Sequence, residues 1–339
     1  MYNISPTHAI LAIESSCDET SAAILINGKI RSNVIANQSI HEQYGGVVPE
    51  LASRDHQKNI VPVVQTALLE ANTSVNELTA IAYTQGPGLL GSLLVGSAFA
   101  KSMALGLGVP LISVNHMKAH ILAHFIDDPK PKLPFLCLTV SGGHTQLVLV
   151  KDYLDMEIIG QTQDDAVGEA FDKTAKLLNL PYPGGPLIDK YAQQGNPKAF
   201  AFPIVEMPAL NFSFSGIKTN FLYFLKQKTA ENPDFITQHL ADICASVQYT
   251  LVQILMKKLR KAAHHTQINE IAIAGGVSAN SLLRQTLQKE GELNGWQTYV
   301  PKFEYCTDNA AMIAMAAYFK ASAGDFAGAD ALVDAGLKF

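Results

Sequence analysis

Val114-Asn115-His116-Met117-Lys118-Ala119-His120 follows a short apolar strand, Pro110 to Val114, and opens a helical run that reaches Phe125. Histidines four apart on a helix project from one face, so both imidazoles can reach a single cation while the backbone stays rigid. The pair is half a metal site and needs a third ligand. Cys306-Thr307-Asp308-Asn309, at the start of the last well-patterned helix, offers one, since Asp308 either caps that helix or donates a hard oxygen. Two histidines and a carboxylate with open positions suit Fe(II) or zinc acting as a Lewis acid. The zinc-protease motif places a glutamate directly after the first histidine, and Met117 stands there, which disfavours a metalloendopeptidase.

Two further groups of residues carry possible chemistry. Ser141-Gly142-Gly143-His144 and Gly275-Gly276-Val277-Ser278 each follow an apolar strand, where glycine lets main-chain amides close on phosphate oxygens. Neither fits the Walker or dinucleotide pattern, so a P-loop or Rossmann cofactor is disfavoured and a nucleotide bridging two equivalent turns is the expectation. Glu14-Ser15-Ser16-Cys17-Asp18-Glu19-Thr20 crowds three carboxylates and three hydroxyls into one turn between apolar strands. It either decorates a solvent turn or faces substrate. An actin-like phosphate turn would carry aspartate-x-glycine, and the missing glycine weakens ATP hydrolysis as the main activity.

The elements that must position these groups come in two similar sets. His8 to Ile13 and Ser21 to Ile26 read as strands, Asn27-Gly28 as a hairpin turn, and Lys29 to Ile35 as the next strand. A loop from His41 to Asp55 precedes a helix from about Arg54 to Ala71; Ala80 to Thr84 is a strand and Leu89 to Leu107 a helix rich in small residues. Pro134 to Val140, Gln146 to Val150, Glu270 to Ala274 and Ser278 to Glu290 repeat that grammar, which predicts a duplicated α/β domain with a cleft between the copies. Ala166 to Leu180 reads as a helix, Pro183-Gly184-Gly185-Pro186 as a loop, Phe235 to Ala263 as a long helix and Asp308 to Lys320 as the last one; Ala321 to Phe339 is weakly patterned. The lobe boundaries are expected at 1–112 plus about 318–339, and 113–317.

Composition narrows the classes. With 339 residues, 48% hydrophobic and 16% charged, the chain has material for two cores, and a net charge of -5 excludes a globally basic RNA-coating protein. Cys17, Cys137, Cys244 and Cys306 form no CxxC and read as reduced thiols. Ala9 to Ile13 is cut short by Glu14, and Leu89 to Phe99 gives only about eleven apolar residues, so no signal peptide, no membrane span and a cytoplasmic location are expected. Lys257, Lys258, Arg260 and Lys261 with His264 and His265 gather at the end of the long helix, where cations oppose the helix dipole; a solvated helix end is preferred there to an RNA contact.

Ten motifs then fall in one order: Glu14 to Thr20, Tyr44 to His56, Gly86-Pro87-Gly88, His116-x-x-x-His120, Val140 to Gln146, Gly168 to Lys176, Pro183 to Pro186, Phe212 to Thr219, Ala274 to Asn280 and Cys306 to Asn309. Over about residues 8 to 320 the chain resembles the universal tRNA threonylcarbamoyladenosine family. That resemblance implies a two-lobed actin-like fold of the sugar kinase and chaperone ATPase superfamily, with duplicated ribonuclease H-like domains. It implies transfer of threonylcarbamoyl from threonylcarbamoyl-AMP to N6 of adenosine 37 in tRNAs reading ANN codons. Mapped residue by residue, it makes His116, His120 and Asp308 ligands of a divalent metal, Fe2+ before Zn2+. It places Thr139, Val140, Ser141, Gly142 and Gly143 on the acyl-adenylate, Asp172, Gly185 and Asp189 on its ribose side, and Gly275, Gly276 and Asn280 on its adenine side. Asp18 and Glu19 would lie by the transferring group, with Asp18 taking the amine proton. The implied partners are a tRNA anticodon loop, a catalytically silent TsaB-like paralogue and a TsaE-like P-loop ATPase. Two departures stand out: Ser15 replaces a threonine, and Ala329 to Phe339 lacks the family's arginine-tryptophan ending. A non-catalytic nucleotide-binding subunit is the third reading beside transferase and peptidase.

Overall fold

The structure, a computed structural model, describes residues 8–38, 41, 44–204 and 206–339. Part of the expected loop from His41 to Asp55, at Glu42 and Gln43, lies outside the described residues. Two compact units emerge, Met1–Lys130 with Pro301–Phe339, and Pro131–Val300.

The first unit carries strands β1 (Ala9–Glu14), β2 (Thr20–Ile26), β3 (Lys29–Ala36), β4 (Ala80–Gly86) and β5 (Leu111–Asn115), and the second β6 (Phe135–Val140), β7 (Thr145–Val150), β8 (Met156–Gln161), β9 (Glu270–Ala274) and β10 (Gln297–Tyr299). The sheet orders are β3-β2-β1-β4-β5 and β10-β9-β6-β7-β8. In each, three strands run as an antiparallel meander and two join in parallel at the far edge. The duplication expected from the strand and turn pattern is therefore present strand for strand. Every residue of β1 and β6 is buried, as apolar strands are when helices cover both faces of a sheet.

Helices follow in chain order as α1 (Pro49–Glu70), α2 (Leu90–Leu107), α3 (His116–Leu122), α4 (Val167–Leu177), α5 (Gly184–Ala192), α6 (Ser215–Glu231), α7 (Phe235–Thr266), α8 (Ser281–Asn294) and α9 (Ala310–Ser322). In the first unit α1 and α2 pack together and on the sheet, while α9 lies across β1, β2, β3 and β5 and against α3. Ala310 through Ala317 of α9 are all buried, so this helix belongs to that core by hydrophobic burial.

Several expectations need correction. The units divide at 130/131 and 300/301, not at 112/113 and 317/318, because β5 pairs with β4 and α9 packs on the first sheet. All three expected metal ligands thus sit in the first unit. The Pro183 to Pro186 loop is the start of α5, since proline is tolerated in a first helical turn. The strands β8 and β10 and helix α6 were not anticipated, being short or weakly periodic. Helix α2, at 18 residues, matches the helix read over Leu89 to Leu107, and by length and composition alone it is apolar enough to cross a membrane. Its Ser92, Leu93, Gly96, Ser97, Ala100 and Ala104 form a buried face. The weakly patterned tail is anchored: Ala327 bridges Leu111, Asp334 N–H donates to Gln85 O at 2.9 Å, and Asn115 Nδ2 donates to Lys338 O at 3.2 Å.

Candidate functional site

Two capped helices bring the histidines and Asp308 together. Asn115 ends β5 and its Oδ1 accepts from Met117 N–H at 3.0 Å and Lys118 N–H at 3.1 Å, which fixes His116 as the first residue of α3. At the other end, Asn309 caps α9 through Met312 N–H at 3.0 Å, and Ala310 N–H donates to Ser21 Oγ on β2 at 2.9 Å. Asp308 is therefore spared from capping, and its carboxylate turns to α3. Its Oδ1 lies 3.3 Å from His116 Nε2 and 3.2 Å from His120 Nε2. The imidazole rings meet edge to face, with centroids 4.7 Å apart at 87°.

That geometry fits a cation. Donors about 2.1 Å from one ion at near-tetrahedral angles stand roughly 3.3–3.4 Å apart, close to the spacings observed here. One ligand atom from each of the three residues lies within 4.8 Å of the others, and both histidines are buried. The electrostatics are those of opposed charges held away from water. Burial works against charge on His116, but Asp308 and Glu14 outweigh it and hold the imidazole well above its ordinary 6.5. Burial and the charge of His116 push His120 down. Burial would raise Asp308, yet the two histidines hold it far below the usual carboxylate range.

The acidic turn is pinned beside this centre by α1 and α2. Cys17 O accepts from His56 Nε2 at 3.0 Å and Ser92 Oγ at 3.1 Å, while His56 Nδ1 lies 2.8 Å from Thr20 Oγ1. Ser15 Oγ donates to Ser92 O at 3.0 Å, and the closeness explains Gly96: a Cβ there would sit 2.2 Å from Ser15 Oγ. Asp18 and Glu19 are partly exposed. Burial, then the carboxylates of Asp308 and Asp18, push Glu19 up to about 9.

In the second unit the glycine turns are adjacent, because Thr139 of β6 pairs with Ala274 of β9. Gly275 has φ +87°, and a Cβ there would lie 2.4 Å from Val140 O, whereas Gly142, Gly143 and Gly276 face open space. Asp172 Oδ1 accepts from Gly184 N–H at 2.9 Å and Gly185 N–H at 3.2 Å, and burial raises its pKa. Asp189 accepts from Ser281 Oγ at 2.6 Å and Gln248 Nε2 at 2.8 Å; Asn280 caps α8 through Leu283 N–H at 3.0 Å. These carboxylates already hold main-chain amides and the side chains of Ser281 and Gln248, so they shape the turns around any ligand.

Sequence reasoning gave no role to Glu14, His56 or Gln248. Glu14 and His56 are fully buried, and Gln248 is 2% exposed within the apolar stripe of α7. A carboxylate ending an otherwise apolar strand, and an amide inside an apolar stripe, were the available signals. The basic cluster on α7 is spent internally: Lys257 pairs with Glu206, Arg260 Nη1 with Glu290 at 2.6 Å, and Lys258 Nζ donates to the Met207 and Ala209 carbonyls at 2.6 and 3.1 Å.

The family model for TsaD, tRNA N6-adenosine threonylcarbamoyltransferase, matches residues 29–315. A protein of that name from Cytophaga hutchinsonii is 63% identical over 97% of this chain and 96% of its own length. Those from Porphyromonas gingivalis and Clostridium botulinum are 56% and 51% identical over 95% and 92% of the chain, and 96% and 92% of their own lengths. Among solved structures, full-length HypF covers 93% of the chain and 46% of its own at TM-score 0.61 and 13% identity. The ROK hexokinase of Thermus thermophilus covers 93% and 100% at 0.53 and 14%. At such identities these structures share the fold alone, that of the actin-like ATPases and sugar kinases.

Proposed function

We propose how the residues of this chain, which belongs to the tRNA N6-adenosine threonylcarbamoyltransferase family, divide the work of that transfer. The enzyme is a transferase that forms N6-threonylcarbamoyladenosine in tRNA. In our reading the donor is threonylcarbamoyl-AMP and the acceptor is adenosine 37, a base in an anticodon loop that can be presented without opening a duplex. The amine nitrogen bonds to the carbonyl carbon, the carbonyl carbon to phosphate-oxygen bond breaks, and AMP leaves with its electron pair. An exocyclic adenine amine is a weak nucleophile, so pre-activation of the donor and alignment carry most of the rate.

His116, His120 and Asp308 hold one divalent cation, with Fe2+ preferred and Zn2+ the alternative. When bound, it supplies a Lewis acid for oxygen atoms of the donor. Thr139, Val140, Ser141, Gly142 and Gly143 receive the acyl-adenylate, Asp172, Gly185 and Asp189 face its ribose side, and Gly275, Gly276 and Asn280 its adenine side. Asp18 takes the proton from the amine, and Glu19 stands beside it. The observation that carries this reading is the approach of both Nε2 atoms to Asp308 Oδ1, at 3.3 and 3.2 Å. Met117, which follows His116, is core at 2% exposure, so the peptidase arrangement has no general base there.

The partners are those the family resemblance implies, and the surface offers one of them a face. Val61 and Leu69 of α1 and Leu90, Leu94 and Leu105 of α2 are exposed apolar residues on two packed helices. They suit the silent TsaB-like paralogue, with the TsaE-like ATPase and tRNA completing a cytoplasmic assembly. The test is reconstitution: purified chain, cation, donor, partners and an anticodon stem-loop, read by mass spectrometry of nucleosides. We expect modification by the unsubstituted chain and none by His116→Ala; equal modification by both overturns the metal-centred reading.

A further inference from the structure

Glu14 closes β1 with a side chain that no solvent reaches, at 0% exposure. Its two oxygens are fully committed. Oε1 accepts from Ser16 N–H at 2.5 Å, and Oε2 accepts from Thr84 Oγ1 at 2.6 Å and lies 3.1 Å from His116 Nδ1. A carboxylate buried this deeply survives only with donors on it, and here they come from β4, from its own turn and from α3. Ser16 Oγ, 3.2 Å from the same Nδ1, is the only other polar atom recorded against that nitrogen among the described residues. His120 differs, because its Nδ1 is buried with no hydrogen-bond partner among the described residues.

We propose that Glu14 is a positioning residue for the metal: it accepts the hydrogen bond of His116 Nδ1–H, leaves Nε2 as the coordinating atom, and supplies the second negative charge that a dication needs in this buried site. A metal-bound imidazole is oriented and made more basic by a carboxylate on its other nitrogen. The charge count agrees. Asp308 alone leaves a divalent ion one charge short of neutrality, and Glu14 is the nearest buried carboxylate to His116. Rigidity agrees as well, since Thr84 ties Glu14 to the neighbouring strand. His116 is then the preset ligand, and His120 and Asp308 complete the set.

The inference rests on the reading that His116, His120 and Asp308 hold a cation, and the test separates the two. Full-length chain, freed of metal, is titrated calorimetrically with Zn2+ and with Co2+. Glu14→Gln keeps the shape and an acceptor for the imidazole but removes the charge, and is expected to weaken both ions about 10- to 100-fold. Glu14→Asp, which keeps the charge on a shorter arm, recovers part of that loss, as a merely structural role would not. Ser16→Ala changes affinity by less than about threefold if Glu14 is the acceptor. Equal affinity of Glu14→Gln and the unsubstituted chain overturns the inference, whereas no binding by the unsubstituted chain overturns the metal reading beneath it. Should Glu14→Gln fail to melt cooperatively, nitrogen-15 NMR of the unsubstituted Zn2+-loaded chain decides. A protonated Nδ1 and coordinating Nε2 on His116 are expected, and coordination through Nδ1 overturns the proposal.

Discussion

Adding a divalent cation should stabilise the first unit by an amount that its sequence separation makes readable. His120 and Asp308 are 188 positions apart, so an unfolded chain could chelate the ion only by closing a loop of that size. Loop closure of this length costs roughly 4–5 kcal/mol, which weakens chelation by unfolded chain on the order of a thousandfold. The ion therefore binds the folded state almost exclusively, and at a free concentration a hundred times its dissociation constant it adds about 2.7 kcal/mol. For a unit of about 170 residues that corresponds to a rise of about 5–11 °C in melting temperature. Calorimetric melts with and without Zn2+ measure it. Asp308→Asn should reduce the shift to under about 2 °C while leaving the melt of the second unit in place. A shift of the same size in Asp308→Asn would mean that the ion binds elsewhere and that the three-residue centre is not its site.

Other outcomes follow from the same geometry. Cation binding at Nε2 must expel the proton that this nitrogen shares with Asp308 on His116, whose pKa Asp308 and Glu14 hold well above 6.5; affinity should rise about tenfold per pH unit through neutrality, with proton release seen by calorimetry in buffers of different ionisation heat. Glu19 is raised from 4.5 to about 9, so the metal-free folded state keeps a proton that the unfolded chain gives up, and stability falls as pH rises between those values. Glu19→Gln should then stabilise metal-free protein on the order of 1–3 kcal/mol at pH 8 and leave it unchanged at pH 4 in denaturant melts; no pH dependence of the difference would contradict the assignment. Gly275→Ala forces a Cβ to 2.4 Å from Val140 O at φ +87° and should cost about 2–4 kcal/mol, whereas Gly276→Ala, facing open space, should stay within about 1 kcal/mol.

The strand grammar was legible because short apolar runs bounded by polar and glycine turns are local signals. Glu270 to Ala274 was placed to the residue, and the parallel repeat of β1, β2 and β4 in β6, β7 and β9 was visible from pattern alone. The histidine pair was equally local. Asp308 was harder, since an aspartate before a helix reads first as a cap; only the structure shows Asn309 taking that role. Unit boundaries failed because they depend on which sheet α9 packs against, a tertiary choice that an apolar helix does not announce. Glu14, His56 and Gln248 were missed for a related reason: a buried polar side chain is recognised by its partners, and these lie 102, 36 and 59 positions away.

The order of the units along the chain has a consequence for biosynthesis. The second unit, Pro131–Val300, interrupts the first, whose closing helix and proposed third ligand, Asp308, are made only afterwards. At about 5–20 residues per second, a ribosome spends roughly 10–40 s between the codons for His120 and Asp308. Through that interval the inserted unit is free to fold, while β1 to β5 wait without α9 over their apolar face. A nascent chain stalled anywhere in between can neither bring Asp308 to the two histidines nor bury that face, which leaves it exposed to chaperones and proteases until translation passes α9.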